Sequence, residues 1–225
     1  MERQFEKELE SLKTTLIKMG SLVEDAVRSA LESFLSRNPD VARQVIAQDE
    51  RINNLEIEID HAIIDLLALR QPVAVDLRFL LSAQKINNDL ERMGDHAVNI
   101  AESSLGLLKF PPPEQFQKLV QMVDVTKLML QQALDGFIHQ DPGIAREVLI
   151  HDDKIDELNR SLVADVMHAM KNNSSTIESG LDLIRISRNL ERIADLATNI
   201  AEEIIFIAQA LIVKHHAEDR PKAAT

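Results

Sequence analysis

Glu91 and Asp95 stand four residues apart, and Glu191 and Asp195 repeat the spacing in a second copy of the same phrase. The copies read NDLERMGDHAVNIAE from Asn88 to Glu102 and RNLERIADLATNIAE from Arg188 to Glu202, with nine of fifteen positions identical one hundred residues apart. Recurrence at that distance marks a duplicated domain. Side chains four apart project from one face of a helix, so each copy offers two carboxylates side by side. Carboxylates gathered together repel unless something positive joins them. Oxygen-only donors suit hard cations such as Mg²⁺, Mn²⁺, Ca²⁺ or iron, with zinc a further candidate, and several carboxylates can bridge more than one ion.

Whether such pairs meet others depends on the helices that carry them. Apolar residues recur at three-four spacing over six segments, at about 2–36, 41–69, 76–109, 114–139, 142–171 and 176–214. Asn38-Pro39-Asp40 breaks the first from the second, and Pro72 ends the second. Asn172 to Ser175 separates the fifth from the sixth, with Ser175 and Glu178 spaced as a capping box. Pro111-Pro112-Pro113 stops any helix. FLSRNPDVARQVIAQDERIN from Phe34 aligns with FIHQDPGIAREVLIHDDKID from Phe137 at a constant offset of 103, so the duplication covers whole halves. The expected fold is all-α: two tandem three-helix up-down bundles of six long helices, at residues 1–110 and 114–215, with a linker at 111–113 and a frayed tail at 216–225.

In an antiparallel hairpin turning near residue 173, Asp152 faces the region of Asp195 and Asp156 that of Glu191. Around a turn near residue 71, Glu91 and Asp95 face Asp49, Glu50 and Asn53. All lie on the flank of the apolar seam. Asn53 brings an amide oxygen but no charge, so the first site is expected to be weaker or to hold fewer ions. Asn99, Glu102, Asn199 and Glu202 continue the stripe as secondary candidates. An ordinary solvated acidic face is the plain alternative. Glu58/His61 and Asp165/His168 have the ExxH-like spacing of di-iron bundles but are not repeat-equivalent.

Composition narrows the function. The 225 residues carry a net charge of −12, with 13 basic against 19 acidic residues before the triple proline and 12 against 18 after it. Nucleic acid is excluded as a partner by so even an acidic surface. There is no cysteine, hence no disulfide and no thiolate site. No signal peptide or membrane span is legible, and a cytoplasmic location is expected.

The stretch Arg70-Gln-Pro-Val-Ala-Val-Asp-Leu-Arg78 leading into KINNDLERMGDHAVNIAE, with the echo RISRNLERIADLATNIAEE, closely resembles the PhoU family of bacterial phosphate-uptake regulators over essentially the whole chain. The resemblance implies a non-catalytic adaptor, usually a homodimer, that negatively regulates phosphate uptake and the phosphate-starvation response. It implies action between the phosphate ABC transporter ATPase and a phosphate-sensing histidine kinase, with membrane contact only through those partners. It also implies metal clusters on E/D-x-x-x-D motifs, matched here by Glu91/Asp95, Asp152/Asp156 and Glu191/Asp195. Asp49/Asn53 departs from the motif, and Glu56/Asp60 is a spare copy on the same helix. A carboxylate-bridged enzyme, either a di-iron oxidase or a metal-dependent hydrolase, is the competing expectation. In the turn, Asp76 is expected to favour the start of helix 3 while pairing with Arg70 or Arg78.

Overall fold

Long amphipathic segments without internal glycine or proline clusters propagate as helices until a cap or proline intervenes. The computed structural model describes residues 2–112 and 116–213, and among them only helices and turns occur. The first half holds α1 (Glu2–Ser36), α2 (Pro39–Arg70) and α3 (Ala74–Leu107). The second holds α4 (Phe116–His139), α5 (Pro142–Ile150), α6 (Asp152–Asn172), a 3₁₀ turn (Ser174–Thr176) and α7 (Ile177–Gln209). Pro113, the expected start of the fourth helix at Glu114, and the expected tail lie outside the described residues.

Three local expectations are corrected. The segment expected as one helix over 142–171 divides at His151, whose N–H donates to the Val148 carbonyl 3.1 Å away. That tightened turn puts Asp152 and Asp153 in the first turn of α6, where the helix dipole favours negative charge. The last helix stops at Gln209 rather than near Lys214, with Ala210 left-handed at φ 55°. Ser175 and Glu178 form no capping box: the Asn173 side chain accepts from the Ser175 N–H, and α7 has no side-chain cap.

The proline turns behave as the repeat suggests. Asn38 and Asp141, equivalent at the offset of 103, each accept from the backbone N–H two residues on. Arg37 and Gln140 before them are both left-handed, at φ 53° and 50°. Arg37 also reaches across, its guanidinium donating to the carbonyls of Leu107, Leu108 and Phe110 at the linker. Arg70 pairs with Glu8 of α1 at 2.7 Å, so the expected partnership with Asp76 is not made.

Packing order follows from which faces are apolar. α2 packs on α3, α3 on α7, and α7 on α5 and α6, while α1 covers α2 and α3 and α4 covers α7, α5 and α6. The four-helix layer so formed has α1 and α4 on one side and an open face on the other. Leu90, Met93, Ala97 and Ile100 of α3, and Leu190, Ile193, Ala197 and Ile200 of α7, are at most 1 % exposed. Each large apolar side chain so buried contributes about 1.5–3 kcal/mol before entropy is counted.

The seam between halves is α3 against α7, the most extensive helix pair. It runs antiparallel: Ser82 and Lys85 meet Glu203 at 2.8 and 2.9 Å, and His96 meets Asn189 at 2.8 Å. A Cβ on Gly106 would lie 2.3 Å from a carboxylate oxygen of Asp182, so glycine there admits the second acid into the seam. Ser82 and Asp182 are repeat-equivalent, as are Ser103 and Glu203. The two ends of the seam are therefore related by a pseudo-two-fold.

Candidate metal centres

α3 is covered by α1, α2 and α7, which leaves it one exposed strip on the open face. Glu91 and Asp95 lie on that strip, and the hairpin brings α2 up beside them. Gly94 makes the approach close: a Cβ there would be 3.1 Å from Ile52 and 3.6 Å from Asp49 Oδ1. Asp49, Asn53 and Glu56 line the facing edge of α2 at the four-three spacing of one helical face. Asn53 Nδ2 donates to Asp49 Oδ2 at 3.1 Å. Asp49 Oδ1 and Asn53 Oδ1 are buried acceptors without a donor. Asp49 also lines a void of about 20 Å³, room for one water-sized occupant and not for an organic substrate.

The electrostatics show which carboxylates share the space. Glu91 is pushed above the usual carboxylate range by burial first, then by Asp95, Glu56 and Asp49, against a smaller pull from Arg92. Glu56 is raised by burial and then by Asp60 and Asp95. The first group is thus Asp49, Asn53, Glu56, Glu91 and Asp95. The expected facing set included Glu50, which is exposed, and lacked Glu56. The spare ExxxD divides: Glu56 joins the group, while Asp60 accepts from Gln84 and Asn87 at 2.7 Å each.

In the second half the same hairpin assembles Asp152, Asp156, Glu191 and Asp195. Burial lifts the Asp195 carboxyl to about 6; Arg192 opposes this from 3.2 Å, and Glu191, Asp152 and Asp156 add to it. Asp152 is raised by burial and Asp156, against the Thr198 hydroxyl that donates to it at 3.3 Å. Asn159, the repeat partner of Glu56, instead accepts from Ser187 at 2.5 Å in the core. The halves therefore transpose one charge. Asn53 and Glu56 stand where Asp156 and Asn159 stand, and each group totals four carboxylates.

Among the described residues, no three His, Asp or Glu side chains stand ready-placed around an ion position. The donor chemistry nevertheless fits a hard cation: four acids per group, two orphaned acceptor oxygens in the first, and charges whose repulsion an ion would relieve. The secondary candidates trail off along the strip, Asn99 and Glu102 exposed and Asn199 and Glu202 half-buried. Of the ExxH-like pairs, Asp165 is engaged by Lys118 and His168 meets Asn172 at 2.9 Å, while Glu58 lines a hollow with Glu8, Ser11 and Leu12 of α1.

The PhoU domain profile matches residues 16–104 and again 119–204, one copy to each half of this architecture. The chain belongs to the PhoU family. It is 39 % identical to the phosphate-specific transport system accessory protein PhoU homolog of Aquifex aeolicus over 209 residues, covering 93 % of this chain and 95 % of that one. Against the homolog from Pseudomonas aeruginosa it is 34 % identical, over 95 % of this chain and 88 % of the relative. The crystal structure of PhoU from Pseudomonas aeruginosa superposes with a TM-score of 0.90 at 33 % identity, covering 92 % of this chain and 100 % of that one. That of the phosphate transport system regulatory protein PhoU from Streptococcus pneumoniae gives 0.86 at 31 %, over 93 % and 99 %. The duplicated all-α fold is that of the family, and among the described residues no helix is long and apolar enough to cross a membrane.

Proposed function

We propose that this protein is a metal-binding regulatory adaptor, working in the cytoplasm as a homodimer, that restrains phosphate uptake and the phosphate-starvation response. Its partners in this reading are the ATPase of the phosphate ABC transporter and the phosphate-sensing histidine kinase. The relatives' names, as accessory proteins of the phosphate-specific transport system and, for the Streptococcus pneumoniae structure, its regulatory protein, supply the setting. The observation that carries the metal reading is the assembly of four carboxylates in each half, three of them at repeat-equivalent positions. A bound Mg²⁺, Mn²⁺ or iron ion would offset that charge and tie α2 to α3, or α6 to α7.

With Glu56 in the first group, the reason for expecting a weaker first site falls away. After incubation with Mn²⁺ or Fe²⁺ and desalting, the purified protein is expected to retain metal. Glu91→Ala with Asp95→Ala, and Glu191→Ala with Asp195→Ala, should each remove a comparable share. Glu56→Gln should lower only the first-half share. Background metal in the wild type refutes the site assignment.

Deleting the gene is expected to derepress secreted phosphatase in phosphate-rich medium several-fold, and re-expression to restore repression. Unchanged phosphatase output would count against the adaptor role while leaving the metal question open.

A further inference from the structure

The two halves differ most at one end. α4 starts at Phe116, the match of Lys13 at the offset of 103, whereas α1 already runs from Glu2. Pro111 to Pro113 stand where α1 has Glu8 to Glu10, and proline stops a helix. In the first half Leu12, Leu66, Phe79 and Leu80 are at most 4 % exposed, and a hollow of only about 300 Å³ is left beside them. In the second half Ala169, Ser179 and Gly180 stand in place of Leu66, Phe79 and Leu80. The shorter helix and the smaller side chains leave a cavity of about 910 Å³. Lys118, Asp165, His168, Ala169 and Asn172 line it, and their repeat images Thr15, Ala62, Asp65, Leu66 and Leu69 all line the smaller hollow. One site is filled in the first half and opened in the second.

The walls divide by chemistry. Phe110, Pro111 and Pro112 of the linker, with Val166, Met170 and Leu183, supply apolar surface. Ser175, Thr176 and Ser179 replace Val75, Asp76 and Phe79 and bring three hydroxyls to the lining. Each is already a donor: Ser175 to Asn173 Oδ1 and Thr176 to the Asn173 carbonyl, both at 2.8 Å, and Ser179 to the Thr176 carbonyl at 3.2 Å. What the hydroxyls keep for an occupant is lone pairs, so the occupant must bring the hydrogens. Charge on the lining is spent in the same way. Lys118 pairs with Asp165 and donates to Ser161 at 2.7 Å, while His168 accepts from the Asn172 amide through Nε2 and is therefore neutral. No free counter-charge is left for an ionic guest.

We infer that this cavity binds a small uncharged organic molecule with an apolar face and an edge of hydroxyl or amino donors, the chemistry of a nucleoside. Its volume lies within the range of about 300–1,000 Å³ usual for small-molecule sites, and its mixture of apolar walls with a few convergent polar groups is theirs as well. The site is separate from the second acidic group. Leu183 stands eight residues from Glu191 and Asp165 nine from Asp156, about 12–14 Å along their helices. The inference goes beyond the adaptor reading and does not rest on it. Because the linker, α4, α6 and α7 all contribute walls, a bound molecule would tie the joint between the halves to the second bundle.

The test is calorimetric titration of the full chain with adenosine, chelator present. Saturable binding of one molecule per chain is expected, with a rise in melting temperature as adenosine is added. The 2′,3′-dideoxy analogue keeps the faces of the base and gives up two hydroxyl donors, so it should bind about tenfold more weakly or worse. AMP should bind no tighter than adenosine. Ser175→Ala with Ser179→Ala should weaken adenosine on the order of tenfold with the fold intact, since the Ser175 N–H still donates to Asn173. Ala169→Leu with Gly180→Leu restores the first half's side chains and should abolish binding without loss of stability, because leucine is the better helix former. A Cβ at Gly180 would lie 2.7 Å from Met170 Sδ, the far end of a flexible side chain with the cavity to move into. Ala169→Leu alone replaces that variant if circular dichroism shows it unfolded. Absence of adenosine binding at millimolar concentration overturns the proposal, as does equal binding of the dideoxy analogue or unchanged binding by the folded leucine variant. AMP binding tenfold tighter than adenosine would overturn the uncharged guest and assign the lining to an anion. The metal and phosphatase measurements above read the adaptor proposal alone, so the two fail separately.

Discussion

Asp195→Asn is expected to stabilise the metal-free protein and to weaken the metal-loaded one. The carboxyl is raised on folding from 3.8 to about 6, chiefly because burial disfavours its charge. A group shifted upward adds stability while protonated, below its unfolded pKa, and that contribution is lost as pH rises through about 6. The metal-free wild type should therefore gain stability relative to the variant as pH falls from about 7 to about 4, and Asp152, raised in the same direction, should act likewise. Two units at full weight would be about 3 kcal/mol. The side chain is 39 % exposed, and screening cuts this to on the order of 1 kcal/mol, or a Tm rise of about 2–4 °C. Mn²⁺ should reverse the order, because an ion that binds only the folded state stabilises by mass action and the variant loses about tenfold or more in affinity. Melts at three pH values, with chelator and with Mn²⁺, measure both effects. A chelated variant that melts below the wild type at neutral pH would sink the argument.

The second large effect lies in the seam. Glu203 is 2 % exposed, held by the Ser82 hydroxyl and by Lys85, itself half exposed. Lys85→Ala withdraws the ammonium from a carboxylate that cannot return to water, an expected cost of about 2–3 kcal/mol. Glu203→Gln keeps the shape and an acceptor for Ser82, and Lys85 can turn to solvent, so about 1 kcal/mol or less is expected. The double variant should resemble Glu203→Gln, a strong non-additivity. Denaturant unfolding of the three proteins decides it, and a glutamine variant weaker than the alanine variant would refute the account. Since α3 and α7 each carry two acids of one group, loosening the seam should also disturb the alignment of the groups.

Much of this was legible because helical periodicity and repeat offset are exact properties of a string of letters. The seams through Leu90 to Ile100 and Leu190 to Ile200, the proline turns, and the meeting of Asp152 and Asp156 with Glu191 and Asp195 all follow from them. In the sequence Glu56 stands out only as half of the spare Glu56/Asp60 pair, because the facing set Asp49, Glu50 and Asn53 spans a single turn. Extending the four-three stripe from Asp49 and Asn53 by one more step reaches Glu56. The break at His151 carries no proline or glycine and shows only in the backbone. Arg70 chose Glu8, sixty-two residues away in sequence, over nearby Asp76 because α1 returns alongside the end of α2. Neither periodicity nor spacing reports which helix covers which.

The pseudo-two-fold in the α3·α7 seam bears on ancestry. An interface whose two sides are copies of one another has the isologous form of a symmetric dimer. A single ancestral three-helix unit, meeting a second molecule through its own third helix, would have buried the same surface before any fusion. Covalent joining then let the two sides diverge, so that an acid now stands at Glu203 where its counterpart is Ser103, and another at Asp182 where its counterpart is Ser82. On this view the triple proline joins two subunits of an older dimer.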